Sequence, residues 1–480
     1  MTTHTEVGHD LSIALRDRSQ DVSYGDLRAR VNHFALALAR KLQESMKVEP
    51  PQHILVVMDH SVDSVVALLA AMEVGLAIPA TSREVSEGRL DQVLVDIAIG
   101  PNRQLELGTG VQCLTYEDLD ACASNAERPE RRADEPAILV STSGTTGAGK
   151  WVAHSPRSIR AAAALVVDEL RLRPDDLSLA LMPLNHTHGL VTTLLAPLSS
   201  GGTVLLADPY DVGAIRHALT QSVSCVSASP TLHRFLLKVS QLSGGALFAP
   251  DRIRNASDVL SPQLLSELVE AYSVPVIDSY ALTELPGTIM TRELHGASDL
   301  NRPYRAVDQI GYRISNDCES YSGRGELVVD GPHRMCGLYD FDRRRLIEGT
   351  TAGGIASGDM VVVSDTGRFE LVGRLREMIN RGGETLAPAR IENLVTRIEG
   401  VGGAMAFAEN HQLLGEAVSV AITVVPGRDR EKVRSEILRS IPNGLQPVTV
   451  YVVEALTYKE NGKADRSAVR ERIFCERGQL

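Results

Sequence analysis

The sequence predicts an α/β protein. A large N-terminal domain of parallel α/β sheets with a small β-barrel-like subdomain is followed by a small mobile α+β C-terminal domain. Three observations lead there. Short apolar runs alternate with amphipathic stretches from the N-terminus onward, the pattern of parallel sheets with crossover helices. Near Arg324 the pattern changes to short runs separated by Gly, Asp and Pro, as in antiparallel strands. The charged stretch RLREMINRGG after Gly373 then sets apart a last segment with its own rhythm.

In order, residues 27–42 repeat apolar positions at helical spacing, and 53–58 contain the short buried strand ILVVM. Residues 63–72 are helical again, and Ala77-Ile78-Pro79 begins another strand. The rhythm returns at 137–140, 158–170, 178–182, 203–206 and 223–227. Strands are expected at 325–329, 360–363 and 418–424, with a helix at 430–439. The domains are therefore read as 1–373, a hinge at 374–377, and 378–480. A small domain on a polar connector is a natural moving part.

Composition narrows the function. The chain has 480 residues, 43% hydrophobic and 23% charged, with a formal net charge of -12. That charge, without a long basic run, argues against nucleic acid or an anionic membrane as partner. The six cysteines are scattered, with no CxxC pair and no nearby His cluster. Free thiols in a reducing compartment follow, rather than zinc or disulfides. The first twenty residues lack a signal-peptide core, and the apolar stretch 65–80 carries Glu73 and Pro79. It is too short and interrupted to span a bilayer, so a cytoplasmic location is expected.

The strongest local signal is the run Ser141, Thr142, Ser143, Gly144, Thr145, Thr146, Gly147, Ala148, Gly149, Lys150, directly after AILV. Glycines let a backbone approach an anion, hydroxyls add donors, and Lys150 adds a compact positive charge. Gly144-x-x-x-x-Gly149-Lys150 also fits the start of a P-loop NTPase pattern. That pattern next needs Ser or Thr for magnesium, and here Trp151 follows.

Further motifs follow in order. They are MPLNHTHG ending at Gly189, GGTV from Gly201, SYALTE ending at Glu284, Ser357-Gly358-Asp359, Gly373-Arg374, RGGETLAP from Arg381, and NGKADR ending at Arg466. Glu284 offers a hard oxygen to magnesium, and Thr283 a donor to a phosphate oxygen. Tyr280 offers a flat aromatic face, and Asp359 a carboxylate acceptor for hydroxyl groups. Lys463 offers positive charge to a developing anion, the kind of electrostatic stabilisation that often dominates catalysis. Taken singly, Asp359 is equally a turn residue, Lys463 a solvated loop lysine, and Glu284 a carboxylate facing a helix dipole.

In this order the motifs resemble those of the acyl-adenylate-forming superfamily of acyl-CoA synthetases, nonribosomal peptide adenylation domains and firefly-type luciferases. The likeness is nearest to stand-alone acid–CoA ligases. The resemblance implies ATP and Mg2+ at Thr142, Ser143, Gly144, Thr145, Thr146, Gly147, Lys150, Tyr280, Asp359 and Arg374. It implies Lys463, Glu284, Thr283 and His186 as catalytic residues, with Glu284 holding the metal. It also implies a hinge at Arg376 and a thioester-forming face at Gly382-Gly383. Departures are Gly149, Trp151, Ala281, and the segment 255–260, where Asp258 replaces a small apolar residue. A buried carboxylate needs a partner, so Asp258 is expected to meet nucleotide or substrate.

The reaction implied has two steps. A carboxylate attacks the α-phosphate of ATP, and a thiol then displaces AMP from the acyl-adenylate. Leu184, Asn185, Thr187 and Leu190 offer no carboxylate for an α-amine, so the acid is expected to lack one. The acid pocket is expected at 185–189, 227–231, 255–258 and 279–281, with His186, His188, Ser257, Asp258 and Ala281 in contact. Those segments offer polar groups and one ring, which suits a small or aromatic acid with a polar substituent. No carrier domain follows, so CoA is the simplest acceptor, with a separate carrier protein open. The alternatives are an adenylating enzyme with a non-thiol acceptor or a small oxyanion substrate, and a P-loop NTPase or non-catalytic nucleotide binder.

Overall fold

A computed structural model describes residues 10–44, 51–90, 92–103, 105, 107, 111–122, 126–142, 150–245, 249–315, 323–347, 353–382, 384–442, 444–458 and 464–476. Backbone proximity divides the chain into two units. The first is Met1–Arg302, Ala306–Gly311 and Asp330–Ile355; the second is Pro303–Arg305, Tyr312–Val329 and Ala356–Leu480.

The first unit holds two sheets. In one, Met290–Leu294, Val276–Tyr280, Arg252–Asn255, Cys225–Ala228, Leu177–Ala180, Thr203–Leu206, Ile13–Arg16 and Asp21–Ser23 lie in that order. The six strands between the two end strands run parallel. In the other, the order is Arg345–Ile347, Gly337–Asp340, Trp151–His154, Ile138–Ser141, Leu76–Ala80, His53–Val57, Ile97–Gly100 and Gln112–Thr115. Its last five strands are parallel, and Trp151–His154 is antiparallel to both neighbours.

Helix Val62–Val74 explains how the two sheets share a core. Ser61 caps it by accepting from the Ser64 N–H, Asp63 sits in its first turn, and Gly75 ends it. Those signals set its ends. Nearly every side chain between them is apolar and buried, because the helix packs on helix Tyr24–Glu44 within one cluster. That cluster takes Val56, Ile99 and Ile138 from one sheet and Leu15, Val204 and Leu206 from the other. Three further helices, Pro156–Leu170, Pro230–Leu242 and Pro262–Tyr272, each begin with a Ser N-cap followed by Pro. Serine satisfies a free N–H and proline fixes the first helical φ, so each chain reversal after a strand is set locally.

In the second unit, Tyr304–Ala306, Arg368–Arg374, Ile355–Val363, Arg324–Asp330 and Gly311–Ser315 lie side by side. A separate sheet orders Glu384–Leu386, Ile379–Arg381, Gly415–Val424 and Val401–His411, with Thr449–Val452 also on Gly415–Val424. Alternation in Val401–His411 sends Ala406 to one face and Met405 and Phe407 to the other. Helices Pro388–Val395 and Arg430–Ser440 cover the first face, and Arg466–Glu476 covers the second through Val469 and Ile473.

The expected strand at 360–363 runs from Ile355 and so takes in Ser357, Gly358 and Asp359. The strands Ile13–Arg16 and Asp21–Ser23 carry no periodic signal; pairing with Thr203–Leu206 makes the first, and Asp21–Ser23 pairs in turn on Ile13–Arg16. Among the described residues no helix is long and apolar enough to cross a membrane.

Among the described residues four histidines are buried: His53, His154, His233 and His333. Burial disfavours the imidazolium and pulls each from 6.5 to about 4. An unfolded chain protonates these rings near 6.5, so below that pH it binds protons that the folded chain refuses. Folding stability is therefore expected to be intact above pH 6.5 and to fall as pH drops toward 4. Calorimetric unfolding across that window checks it; a flat midpoint contradicts it.

Candidate active site

The strands on either side of the glycine-rich loop pair as a hairpin. Ser141 pairs with Trp151 across antiparallel strands. The Thr142 N–H donates to the Lys150 carbonyl at 2.8 Å, and the Lys150 N–H to Thr142 Oγ1 at 3.2 Å. Ser143, Gly144, Thr145, Thr146 and Gly147 lie outside the described residues. The loop thus returns into the strand Trp151–His154. A P-loop opens onto a helix whose N-terminus receives the phosphates, so the NTPase alternative falls. Trp151 has a structural account as well. Its ring meets Phe341 edge-on at 5.4 Å, within the apolar cluster on that sheet.

The parallel strands of the other sheet end together. After Leu177–Ala180 comes MPLNHTHG, after Cys225–Ala228 comes Ser229, after Arg252–Asn255 come Ser257 and Asp258, and Val276–Tyr280 ends on Tyr280. Ligands in open α/β sheets gather at such ends. His188 joins three of these segments. Its Nδ1 is 2.8 Å from Ser257 Oγ and its Nε2 is 2.8 Å from Ser227 Oγ. Ser257 is held at φ 76. His186, half-buried, heads the turn, its N–H donating to the Pro183 carbonyl. Asn185 turns to Glu84 Oε2 at 2.8 Å, so it braces the segment.

Gly189 is required there. A Cβ on it would lie 2.1 Å from the Pro183 carbonyl oxygen and 2.7 Å from that of Met182. The chain then follows a π-helical segment, His188–Leu195, a rare form that is frequent at functional sites.

Below His188 lies a buried ion pair that the sequence did not announce. Arg254 Nε meets Glu169 Oε2 at 2.9 Å, with side-chain exposures of 1% and 2%. Arg254 also donates to the Gly287 carbonyl, Thr288 Oγ1 and Ser227 Oγ. Ser279 and Thr288 hydroxyls donate to Glu169. Each charge is thereby surrounded by partners, as burial demands.

Asp258 differs from the expectation of a buried carboxylate. It is half-buried, and its Oδ1 accepts from the Val259 N–H at 2.8 Å. Tyr280, Ala281, Thr283 and Glu284 are likewise half-buried. The carbonyl of Thr283 accepts from His154 Nε2 at 2.9 Å, and that of Glu284 from the Met335 N–H at 2.8 Å. The Glu284 carboxylate has no hydrogen bond or ion pair with a described residue. A half-exposed, unclaimed carboxylate beside a threonine hydroxyl fits a hard ion such as Mg2+.

In the second unit, Asp359 faces Arg374 across antiparallel strands, Oδ1 to Nε at 2.9 Å. Asp359 is buried, its N–H donates to Ser357 Oγ, and Gly358 turns the chain at φ 72. Arg376 is exposed on the short 3-10 turn Leu375–Glu377. Lys463 lies outside the described residues, but Arg466 ends its motif. Arg466 binds Glu392 with two nitrogens and Glu377 at 2.8 Å. Gly382 is exposed at φ 57.

Gly189→Ala is expected to displace the MPLN backbone and with it His186 and His188. Adenylation should fall by about a hundredfold, the usual scale for an ångström-sized misplacement, while the protein still folds. Pyrophosphate release at native rate contradicts this.

A model of the AMP-binding enzyme family matches residues 6–339. An acyl-CoA synthetase of Alternaria alternata is 26% identical over 384 residues, 73% of this chain and 68% of its own length. An oxalate–CoA ligase of Arabidopsis thaliana is 25% identical over 372 residues, covering 75% and 72%. The ATP-bound crystal structure of MatB from Rhodopseudomonas palustris shares the fold, with a TM-score of 0.81, 20% identity and 97% of each chain covered. The family match runs through the phosphate-loop hairpin, the strand ends around His188 and the Thr283–Glu284 turn, and on that extent the chain belongs to the AMP-binding enzyme family.

Proposed function

We propose that the chain is an AMP-forming acid–CoA ligase that activates a small polar acid. One observation carries this beyond membership of the family. The Glu284 carboxylate, unclaimed by any described residue, follows Thr283, whose carbonyl is held by His154 on the return strand of the phosphate loop. A nucleotide's phosphates and their ion need those two features together.

In the first step an oxygen of the acid attacks the α-phosphorus, the bond to pyrophosphate breaks, and acyl-AMP forms. In the second, a thiol sulfur attacks the acyl carbon, AMP leaves, and the thiol proton passes to solvent. Magnesium, when bound, neutralises phosphate charge. Glu284 is its ligand, and Thr283 and Lys150 donate to phosphate oxygens. Tyr280 takes the adenine face, and Asp359, steadied by Arg374, the ribose. His186 borders the acid carboxylate, and Lys463 supplies charge at the reacting oxygens. Residues 378–480 turn about 374–377, with Arg376 as the pivot, and bring the Gly382 face to the second step.

The acid reading rests on His188, Ser227 and Ser257, three polar groups joined at the strand ends. A polar floor favours a short acid with a second polar group over a fatty chain; an oxalate–CoA ligase is among the relatives. CoA is the acceptor. A cytoplasmic location is supported by free thiols at Cys113, Cys122, Cys225, Cys336 and Cys475.

Pyrophosphate release across a panel of acids, with and without CoA, tests the whole reading; long-chain fatty acids as the best substrates would overturn the acid assignment. Lys463→Ala is expected to lower acyl-AMP formation by about a hundredfold to a thousandfold. Thioester formation from supplied acyl-AMP should suffer far less, and normal pyrophosphate release by this variant removes Lys463 from the chemistry. Asp258→Ala is expected to change acid preference at constant ATP affinity. Weaker ATP binding with unchanged preference would move Asp258 to the nucleotide.

A further inference from the structure

His154 ends the strand that leaves the phosphate loop. It is fully buried, yet its Nε2 reaches the Thr283 carbonyl at 2.9 Å, across 129 residues of sequence. A carbonyl only accepts, so Nε2 carries the proton and Nδ1 is the bare nitrogen. That Nδ1 has no hydrogen-bond partner among the described residues, which burial makes costly. The strand position is thus occupied by a polar ring whose one satisfied atom points at the candidate metal turn.

The same turn is held from a second side. The Met335 N–H donates to the Glu284 carbonyl at 2.8 Å, and the next N–H, of Cys336, to the Ala153 carbonyl at 2.7 Å. Gly337 then pairs with Ala153 across antiparallel strands. The Thr283 carbonyl is therefore fixed directly to the hairpin that closes at Thr142 and Lys150, and the Glu284 carbonyl to Met335, whose neighbour Cys336 bonds the same hairpin. The two other hydrogen bonds come from the backbone. Among the described residues His154 supplies the one side-chain link, so it is the one a substitution can remove.

We propose that His154 is a positioning residue for adenylation, holding the Thr283–Glu284 turn on the hairpin whose neck is Thr142 and Lys150, so that Glu284 and Lys150 act on one nucleotide. The proposal rests on the reading of Glu284 and of the loop given above. His154 touches no reacting atom; it acts through the Thr283 carbonyl. The ring stays neutral, since burial pulls it to about 4, so its donor is constant through the neutral range. Thioester formation from preformed acyl-AMP needs neither the metal nor the β- and γ-phosphates, and is independent of His154.

The test compares His154→Leu, which removes the donor, with His154→Gln, whose side-chain N–H can replace Nε2. Three quantities are read: ATP–pyrophosphate exchange against MgATP, its dependence on free Mg2+, and CoA thioester formation from supplied acyl-AMP. His154→Leu should lower exchange kcat/KM by about tenfold to a hundredfold, the scale for misplaced catalytic groups, and raise the Mg2+ requirement. Thioester formation should stay within about twofold, and His154→Gln should recover most of the exchange loss. Equal loss in both half-reactions, no recovery by glutamine, or native exchange in His154→Leu each overturns the proposal. Glu284→Gln run beside them separates the two ideas. If it is inactive while His154→Leu is normal, only the positioning role fails; if it is fully active, the reading of Glu284 fails and carries the proposal with it.

Discussion

The buried pair Arg254–Glu169 is the constraint on which the acid side of the site depends. Moving two ions out of water costs several kcal/mol each, and their attraction offsets this only when every remaining donor and acceptor is met. Here the two ions and their partners come from five separate places: the helix that carries Glu169, the strand of Arg254, Ser227 on the strand Cys225–Ala228, the strand end at Ser279, and the turn at Gly287 and Thr288. None can shift alone without stranding a charge. The guanidinium also touches Ser227, which holds His188, so the order imposed by the ion pair extends to the strand ends. A hydrophobic core would supply stability as well, but it would not fix hydroxyl positions in this way.

The phosphate side is arranged by another means. Its loop is clasped by backbone hydrogen bonds at Thr142 and Lys150, and its return strand is packed by Trp151 on Phe341. One sheet therefore contributes a loop with a rigid neck, and the other contributes strand ends braced by charge. The turn at Thr283 and Glu284 is where the two meet, and its side chains are left for other work because its carbonyls do the anchoring.

The α/β alternation was legible because crossover helices such as Val62–Val74 and strands such as His53–Val57 carry their own periodicity. The glycine-rich run and the strand-end motifs were legible because close approach to anions needs particular residue types. What the loop leads into was not, since a four-residue apolar run such as Trp151–His154 does not state the direction in which it pairs. Ile13–Arg16 was missed because its partner, Thr203–Leu206, is far along the chain. Glu169, Arg254 and His154 left no motif: each acts through contacts that only the folded chain creates. Asp258 stands where the motif has a small apolar residue, but a residue type does not state its depth, and the fold places it half-exposed beside its own backbone.

Trp151 has one more consequence. It is the chain's single tryptophan, and it sits at the first residue after the clasp of the glycine-rich loop, edge-on to Phe341. The emission spectrum of the protein under selective excitation is therefore the spectrum of one known place. The molecule carries a built-in optical reporter at the neck of its phosphate loop, and a change in its fluorescence when a nucleotide is added would originate there rather than at an average over many distant rings.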